Sequence, residues 1–311
     1  MFALKYINRH LFMEHEGRLY LVDTGCPKSF AINGAIPWVD RTPHAVVLDM
    51  VEGRLRFAGE NDEVSRCGLV LPFTKAPKTQ APILRCHPEL KMIWDTGAQV
   101  GYIDMSTAPK ANIVKEMGAF SDFSPTYQTI ESPMTWLARF NPEPDFSRPE
   151  FVPYIHCQMA DARADILAHI RNEGADGVLG NSWMGDRDSL TRMYTEVRGE
   201  CGELLMDWNE GVIVAICGRK GVVRIQNLPV WIERNTGAPR RRPNPDPFEI
   251  VTENHVPVTP PAAVAPNQIF TVARRVLPSL GRFTAEGLRG HIQLDNIDGL
   301  IGNDLLQDTL L

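Results

Sequence analysis

Short apolar runs recur along this chain, and turn residues separate them. The runs are Arg18–Val22, Ala45–Leu48, Arg54–Phe57, Leu69–Phe73, Lys91–Trp94, Val152–Cys157, Glu203–Met206, Gly211–Ile216, Val222–Ile225 and Val230–Ile232. Runs of this length, several alternating in polarity and bounded by Gly, Pro, Asn or Asp, predict β-strands. The 24 glycines and 24 prolines supply the turns between them. The pattern therefore predicts a mainly β fold. Helical periodicity is scarce: Ala160–Arg171 predicts one helix, with Ile166, Leu167 and Ile170 on one side. Thr284–Ile292 and the extreme C-terminus carry fainter helical patterns. Asn141–Pro149 (NPEPDFSRP) and residues 235–267, with eight prolines, read as long irregular segments, suited to surface excursions or a cleavable linker.

Two of the strand-like runs end in the same tripeptide. Leu21-Val22-Asp23-Thr24-Gly25-Cys26 and Ile93-Trp94-Asp95-Thr96-Gly97-Ala98 each place Asp-Thr-Gly directly after apolar residues. A second pair also repeats: Asp176-Gly177-Val178-Leu179-Gly180-Asn181 and Asp298-Gly299-Leu300-Ile301-Gly302-Asn303. A chain with two copies of each has the parts for two similar half-sites. An apolar strand carries the carboxylate into an interior where a lone charge is costly. Gly25 and Gly97 permit tight turns and close backbone approach. The hydroxyls of Thr24 and Thr96 can reach the opposite turn and lock the two together. Gly177, Gly180, Gly299 and Gly302 allow equally close packing beneath the turns. Asp176 and Asp298 each precede glycine and read as turn formers; Asp104 reads as a surface or supporting residue.

Two carboxyls held close cannot both ionise cheaply, so such a pair shares one proton. The charged member can take a proton from water while the protonated member gives one to a carbonyl oxygen. The order of the repeats bears on domain organisation. The first Asp-Thr-Gly meets no Asp-Gly-x-x-Gly partner before the second begins, and its available partner lies at 298. This predicts nested lobes: an outer one from 1–83 and 219–311, and an inner one from 84–218. Tandem lobes compete with this reading but leave the motif at 298 without a role.

The stretch Lys91-Met92-Ile93-Trp94-Asp95-Thr96-Gly97-Ala98-Gln99-Val100-Gly101-Tyr102-Ile103 resembles the active-site stretch of the retropepsin-like aspartic proteases. Leu300-Ile301-Gly302-Asn303-Asp304-Leu305-Leu306 is similar to the family's Gly-Asn/Asp stretch that opens a short helix, and Val178–Met184 is a second version. The resemblance implies a closed-barrel fold of the retropepsin/pepsin-like acid protease type, with two pseudo-twofold lobes in one chain and a flap over a peptide cleft. It implies Asp23 and Asp95 as the catalytic pair, with Thr24, Gly25, Thr96, Gly97, Cys26 and Ala98 supporting the turns, and a single chain sufficient for activity. The implied substrate is an extended polypeptide with apolar residues around the scissile bond. Hairpins at Val46–Phe57 and Tyr127–Phe140 are the flap candidates, although Tyr127 and Trp136 read equally as core aromatics. Similar pepsin-like enzymes often carry Ser or Thr after the Gly, where this chain has Cys26 and Ala98. Loss of a hydroxyl that favours the charged carboxylate predicts a less acidic pH optimum than theirs.

Composition narrows the picture. With 311 residues, 43% hydrophobic and 23% charged, the chain is long enough for a sizeable core. A net charge of −6 gives no basic field for nucleic acid, and Arg240-Arg241-Arg242, flanked by Pro239 and Pro243, reads as a solvated loop. No apolar run suits an export signal or a membrane span. The six cysteines (26, 67, 86, 157, 201, 217) form no CxxC pattern and read as reduced thiols in a cytoplasmic protein. Cys86-His87 and His156-Cys157 contain a zinc-type ligand set, but adjacent strand residues point to opposite faces, so no metal and no cofactor is expected. Cys26 reads as a small apolar filler rather than a redox thiol. The expected function is an aspartic endopeptidase. The competing reading is a catalytically silent peptide-binding or scaffold module, and a narrower one is a zymogen that trims its own loops at 141–149 or 235–267.

Overall fold

The structure is a computed structural model that describes residues 1–7, 9–32, 36, 44–63, 68–86, 90–107, 113–123, 129–137, 151–153, 157–162, 164–184, 197–198, 202–205, 211–227, 230–233, 249–250 and 297–307. Strands β1 (Phe2–Ile7), β2 (His10–His15) and β3 (Arg18–Val22) form an antiparallel meander. Its first turn uses Arg9 at φ 62 and its second uses Glu16 at φ 50 with Gly17 at φ 75. Only the second offers a glycine, which is why the pattern of turn residues does not announce β1 and β2. After the loop at residues 23–29 come β4 (Phe30–Ala31) and the hairpin of β5 (Ala45–Asp49) with β6 (Arg54–Ala58).

Next follow β7 (Leu69–Lys75), β8 (Pro82–Cys86), β9 (Leu90–Trp94) and β10 (Gly101–Ile103). A long hairpin of β11 (Ile113–Phe123) with β12 (Thr129–Leu137) leads to β13 (Phe151–Pro153) and β14 (Cys157–Asp161). Helix α1 (Ala164–Asn172) begins four residues later than its apolar spacing suggests, because Ala160 and Asp161 belong to β14, where they pair with β10. The remaining strands are β15 (Gly177–Leu179), β16 (Val197–Arg198), β17 (Gly202–Leu205), β18 (Ile213–Cys217), β19 (Val222–Gln226), β20 (Val230–Glu233), β21 (Glu249–Ile250) and β22 (Ile297–Ile301), before helix α2 (Asn303–Leu306).

Among the described residues seventeen strands join one mixed sheet. The pairings run β4-β22-β3-β2-β1-β6-β5-β18-β19-β7-β8-β9-β15-β10-β14-β12-β11. The path is open: among the described strands its two ends do not pair. Small sheets β13-β20-β17 and β16-β21 stand apart. The class is mainly β. Strand β18, counted by sequence with 84–218, pairs with β5 and β19, both from outside that range. Strand β7 serves both parts of the ribbon, with Leu69–Pro72 on β19 and Phe73–Lys75 on β8.

One hydrophobic cluster contains Val22 and Trp94, the residues directly before the two aspartates, together with Leu48, Leu84, Met92, Val214 and Leu306. Burying an aliphatic side chain such as Val22 contributes roughly 1.5–3 kcal/mol, so both Asp-bearing strands are anchored in one core. The Val46–Phe57 hairpin forms, with Val46 opposite Phe57, but all five residues of β5 are buried and β18 occupies its other edge. It is part of the sheet body, paired with β18 on one side and β1 on the other. In the second flap candidate, Thr129–Leu137 pairs with Ile113–Phe123, while residues 124–128 and 138–140 lie outside the described residues. Also outside them are 141–149, most of 235–267 with Arg240–Arg242, Thr284–Ile292, Cys67, His87, His156 and Cys201.

Candidate active site

The repeated motifs build the same three-stranded unit twice. In one copy β22 lies between β3 and β4, parallel to the first and antiparallel to the second. In the other, β15 lies between β9 and β10 in the same senses. Each inserted strand fixes the backbone of an aspartate: Asp23 N–H donates to Ile301 O at 2.9 Å, and Asp95 N–H to Leu179 O at 2.9 Å. Gly299 and Gly177 sit where neighbouring strands approach closely. A Cβ on Gly299 would stand 2.5 Å from Phe30 O, and one on Gly177 2.5 Å from Tyr102 O. Asp298 and Asp176 point away from the dyad; their Oδ2 atoms accept from Leu19 N–H (3.1 Å) and Lys91 N–H (2.8 Å).

The two Asp-Thr-Gly turns interlock. Thr24 N–H donates to Thr96 Oγ1 and Thr96 N–H to Thr24 Oγ1, both at 2.9 Å. Each hydroxyl then donates across the axis, Thr24 Oγ1 to Trp94 O at 2.6 Å and Thr96 Oγ1 to Val22 O at 2.7 Å. Both threonines are fully buried, so each donor and acceptor in the lock depends on the other turn. The glycines let the turns close. A Cβ on Gly25 would lie 2.6 Å from Cγ and both oxygens of Asp95, and one on Gly97 2.5 Å from Cγ of Asp23. Near-equal distances to all three carboxyl atoms mean that each carboxyl lies face-on over the other turn's glycine.

The carboxyls of Asp23 and Asp95 hydrogen-bond each other. Asp23 Oδ1 accepts Gly25 N–H at 2.7 Å and Asp95 Oδ1 accepts Gly97 N–H at 2.8 Å. Each aspartate is half-buried, with a floor of dense protein and part of its surface open. Burial pushes Asp23 well above the usual carboxylate range; the Asp95 charge and hydrogen bond raise it further, against the amides of Gly25 and Cys26. Burial also raises Asp95, while the Gly97 amide and the hydrogen bond from Asp23 act the other way. The pair titrates as a unit.

Two asparagines support the turns from below, and no role was assigned to either from sequence beyond the motif they stand in. Asn303 Nδ2 donates to Thr24 O at 2.7 Å, and Asn181 Nδ2 to Thr96 O at 2.5 Å. Their own amides bond Cys26 O and Ala98 O, both at 2.8 Å. Gly302 and Gly180 precede them, and a Cβ there would collide with Lys28 and Cys26 in one half or with Val100 and Ala98 in the other. Outside these repeats the halves differ. Ser29 Oγ donates to Asp304 Oδ1 and accepts from Gly302 N–H in one half; in the other, Gly101 and Ser182 stand at the corresponding places.

Cys26 is 8% exposed, and its thiol donates to Lys28 O at 3.3 Å. Burial, and then the Asp23 charge, push it far above the ordinary thiol value. Cys26, Cys86, Cys157 and Cys217 are buried thiols not joined in disulfides. Asp104 is a surface turn carboxylate bonded by Ser106, which holds it below the usual range. Among the described residues no group of three or more His, Cys, Asp or Glu could hold a metal ion. No helix there is long and apolar enough to cross a membrane.

Chemically, the arrangement places two facing carboxyls, both raised above the usual range, on an interlocked base, with each aspartate half-buried. Compared with known proteins, the chain matches no family model and no curated protein.

Proposed function

We propose that this chain is an aspartic endopeptidase of the retropepsin-like acid protease type, with Asp23 and Asp95 as its catalytic pair. The observation that carries the reading is the mutual cover of the two turns: each carboxyl lies over the opposite Gly while each Thr hydroxyl bonds the opposite strand. Such a base holds two acids at fixed separation, which general acid–base catalysis requires. The charged carboxyl of the pair takes a proton from a water as the water oxygen attacks the peptide carbonyl carbon. The protonated carboxyl gives its proton to the carbonyl oxygen. The tetrahedral intermediate then collapses, the C–N bond breaks, and the amine leaves with a proton returned through the pair. No metal or organic cofactor enters this scheme, and both acids come from one chain. The substrate is an extended polypeptide aligned by backbone hydrogen bonds. Reduced, buried thiols suit a cytoplasmic location.

The test is cleavage of an unstructured protein by the purified chain. Asp23→Asn and Asp95→Asn are each expected to abolish fragments, and a statine-type inhibitor to suppress them in the parent. Retained cleavage in either mutant, with an unchanged fold by circular dichroism, overturns the assignment.

A further inference from the structure

We propose that Glu173, remote in sequence from both motifs, is a positioning residue for the Asp23 half of the dyad; this rests on the endopeptidase reading. Helix α1 ends at Asn172, and Gly174 at φ 75 reverses the chain. The reversal buries Glu173, a carboxylate only 1% exposed. Its Oε2 accepts from Lys78 N–H (3.1 Å), Thr79 N–H (3.2 Å) and Thr79 Oγ1 (3.3 Å). Among the described residues no cation pairs with it. A buried carboxylate is costly unless donors satisfy it; Oε1 has none among the described residues, so the three donors on Oε2 and the acid hold each other in place.

What they hold is the turn between β7 and β8, closed by Ala76 N–H to Ala81 O and Gln80 N–H to Ala76 O. The turn's carbonyls face the other half of the molecule. Thr79 O accepts from Asn303 Nδ2 at 3.1 Å, and Gln80 O accepts from Gln307 Nε2 at 3.0 Å. Gln307 Nε2 also donates to Asn303 Oδ1 at 2.7 Å, so the Asn303 amide is fixed at both ends. That same Nδ2 supports Thr24 O, one residue from Asp23. A continuous chain of hydrogen bonds thus runs from Glu173 through Thr79 and Asn303 to the Asp23 turn. Among the described residues Asn181 has no such strut; its backbone oxygen accepts from Tyr6 Oη at 3.1 Å. Glu173 therefore acts on one turn and not on its twin.

The experiment compares the full chain with Glu173→Ala, Glu173→Asp and Glu173→Gln. Turnover of a quenched fluorescent peptide is measured beside amide hydrogen exchange. Glu173→Ala is expected to lower kcat about tenfold, a loss in line with a small misplacement of catalytic groups, while KM stays within about twofold. Exchange should quicken at Gly25 and Cys26 and stay unchanged at Gly97 and Ala98. Glu173→Gln keeps an acceptor oxygen at the same reach and should restore both readouts. Glu173→Asp, one methylene shorter, carries the same test if the alanine form does not fold. Equal quickening at both turns, an unaltered kcat, or a Gln form as impaired as the Ala form each overturns the proposal. If the parent chain cleaves nothing, the endopeptidase reading falls, and the one-sided exchange still decides whether the strut exists.

Discussion

Gly25 and Gly97 are the residues least able to change. A methyl group at either would stand within 2.6 Å of the opposite carboxyl, so Gly25→Ala or Gly97→Ala must push that acid off its seat. Peptidase activity should fall at least about 100-fold, as expected for a displacement near 1 Å, in a chain that still folds by circular dichroism. The acids themselves have a pH signature. Both sit above the ordinary Asp value in the folded state, so the native chain holds protons that the unfolded chain releases. Stability from this source is present at low pH and is lost as pH rises above about 3.9, the free Asp value. Asp23→Asn mimics the protonated form, so at pH 7 it should raise Tm by on the order of 2 °C and at pH 3 leave it unchanged. On the endopeptidase reading, the same upward shifts are expected to move the acid limb of the pH–rate profile upward. A profile peaking below about pH 3 contradicts this. The Cys26 thiol, buried and pushed up, should resist iodoacetamide at pH 8 in the folded chain, as read by mass spectrometry.

The elements that carry the site are short strands ending at Asp23 and Asp95 and the strands beside them. Thr24→Val leaves Thr96 N–H and Trp94 O without partners in a buried place, at a cost of roughly 1–3 kcal/mol. Thr96→Val should cost about the same. The double mutant should cost much less than the sum, because each change breaks bonds of one lock; urea titration of the set measures the coupling. This lock was legible in the sequence, since both threonines stand in duplicated tripeptides behind apolar runs. The second repeat marks the partner segments but reads as loops under the turns; Gly177–Leu179 and Ile297–Ile301 are instead strands, because they pair along β9 and β3. Glu173, Thr79 and Gln307 were not legible. They occur singly, in local contexts typical of any helix end or turn, and their role comes from a contact between segments 94 residues apart. Strands β1 and β2 were missed for a local reason: Arg9 adopts a left-handed turn without glycine.

At the scale of the molecule, one core and one ribbon of strands join the two half-sites. Val22 and Trp94 share a hydrophobic cluster, and the Thr lock spans both halves. The slowest-exchanging amides of β3 and β9 should therefore report the same opening free energy in native-state hydrogen exchange. A gap between them of more than about 1 kcal/mol, a sizeable fraction of typical total stability, would mean that the halves open separately. The mainly β class was readable from run lengths and turn residues. The path of the ribbon was not, because it depends on pairings such as β18 with β5 that no local pattern encodes.

Strand β7 belongs to two neighbours in succession, β19 up to Pro72 and β8 from Phe73 onward. It works as a rivet. Swinging the halves apart like a jaw would tear interior backbone bonds on one side of that joint. The spacing of Asp23 and Asp95 is therefore held by the strand framework itself, and on the endopeptidase reading a substrate is taken up without the halves parting.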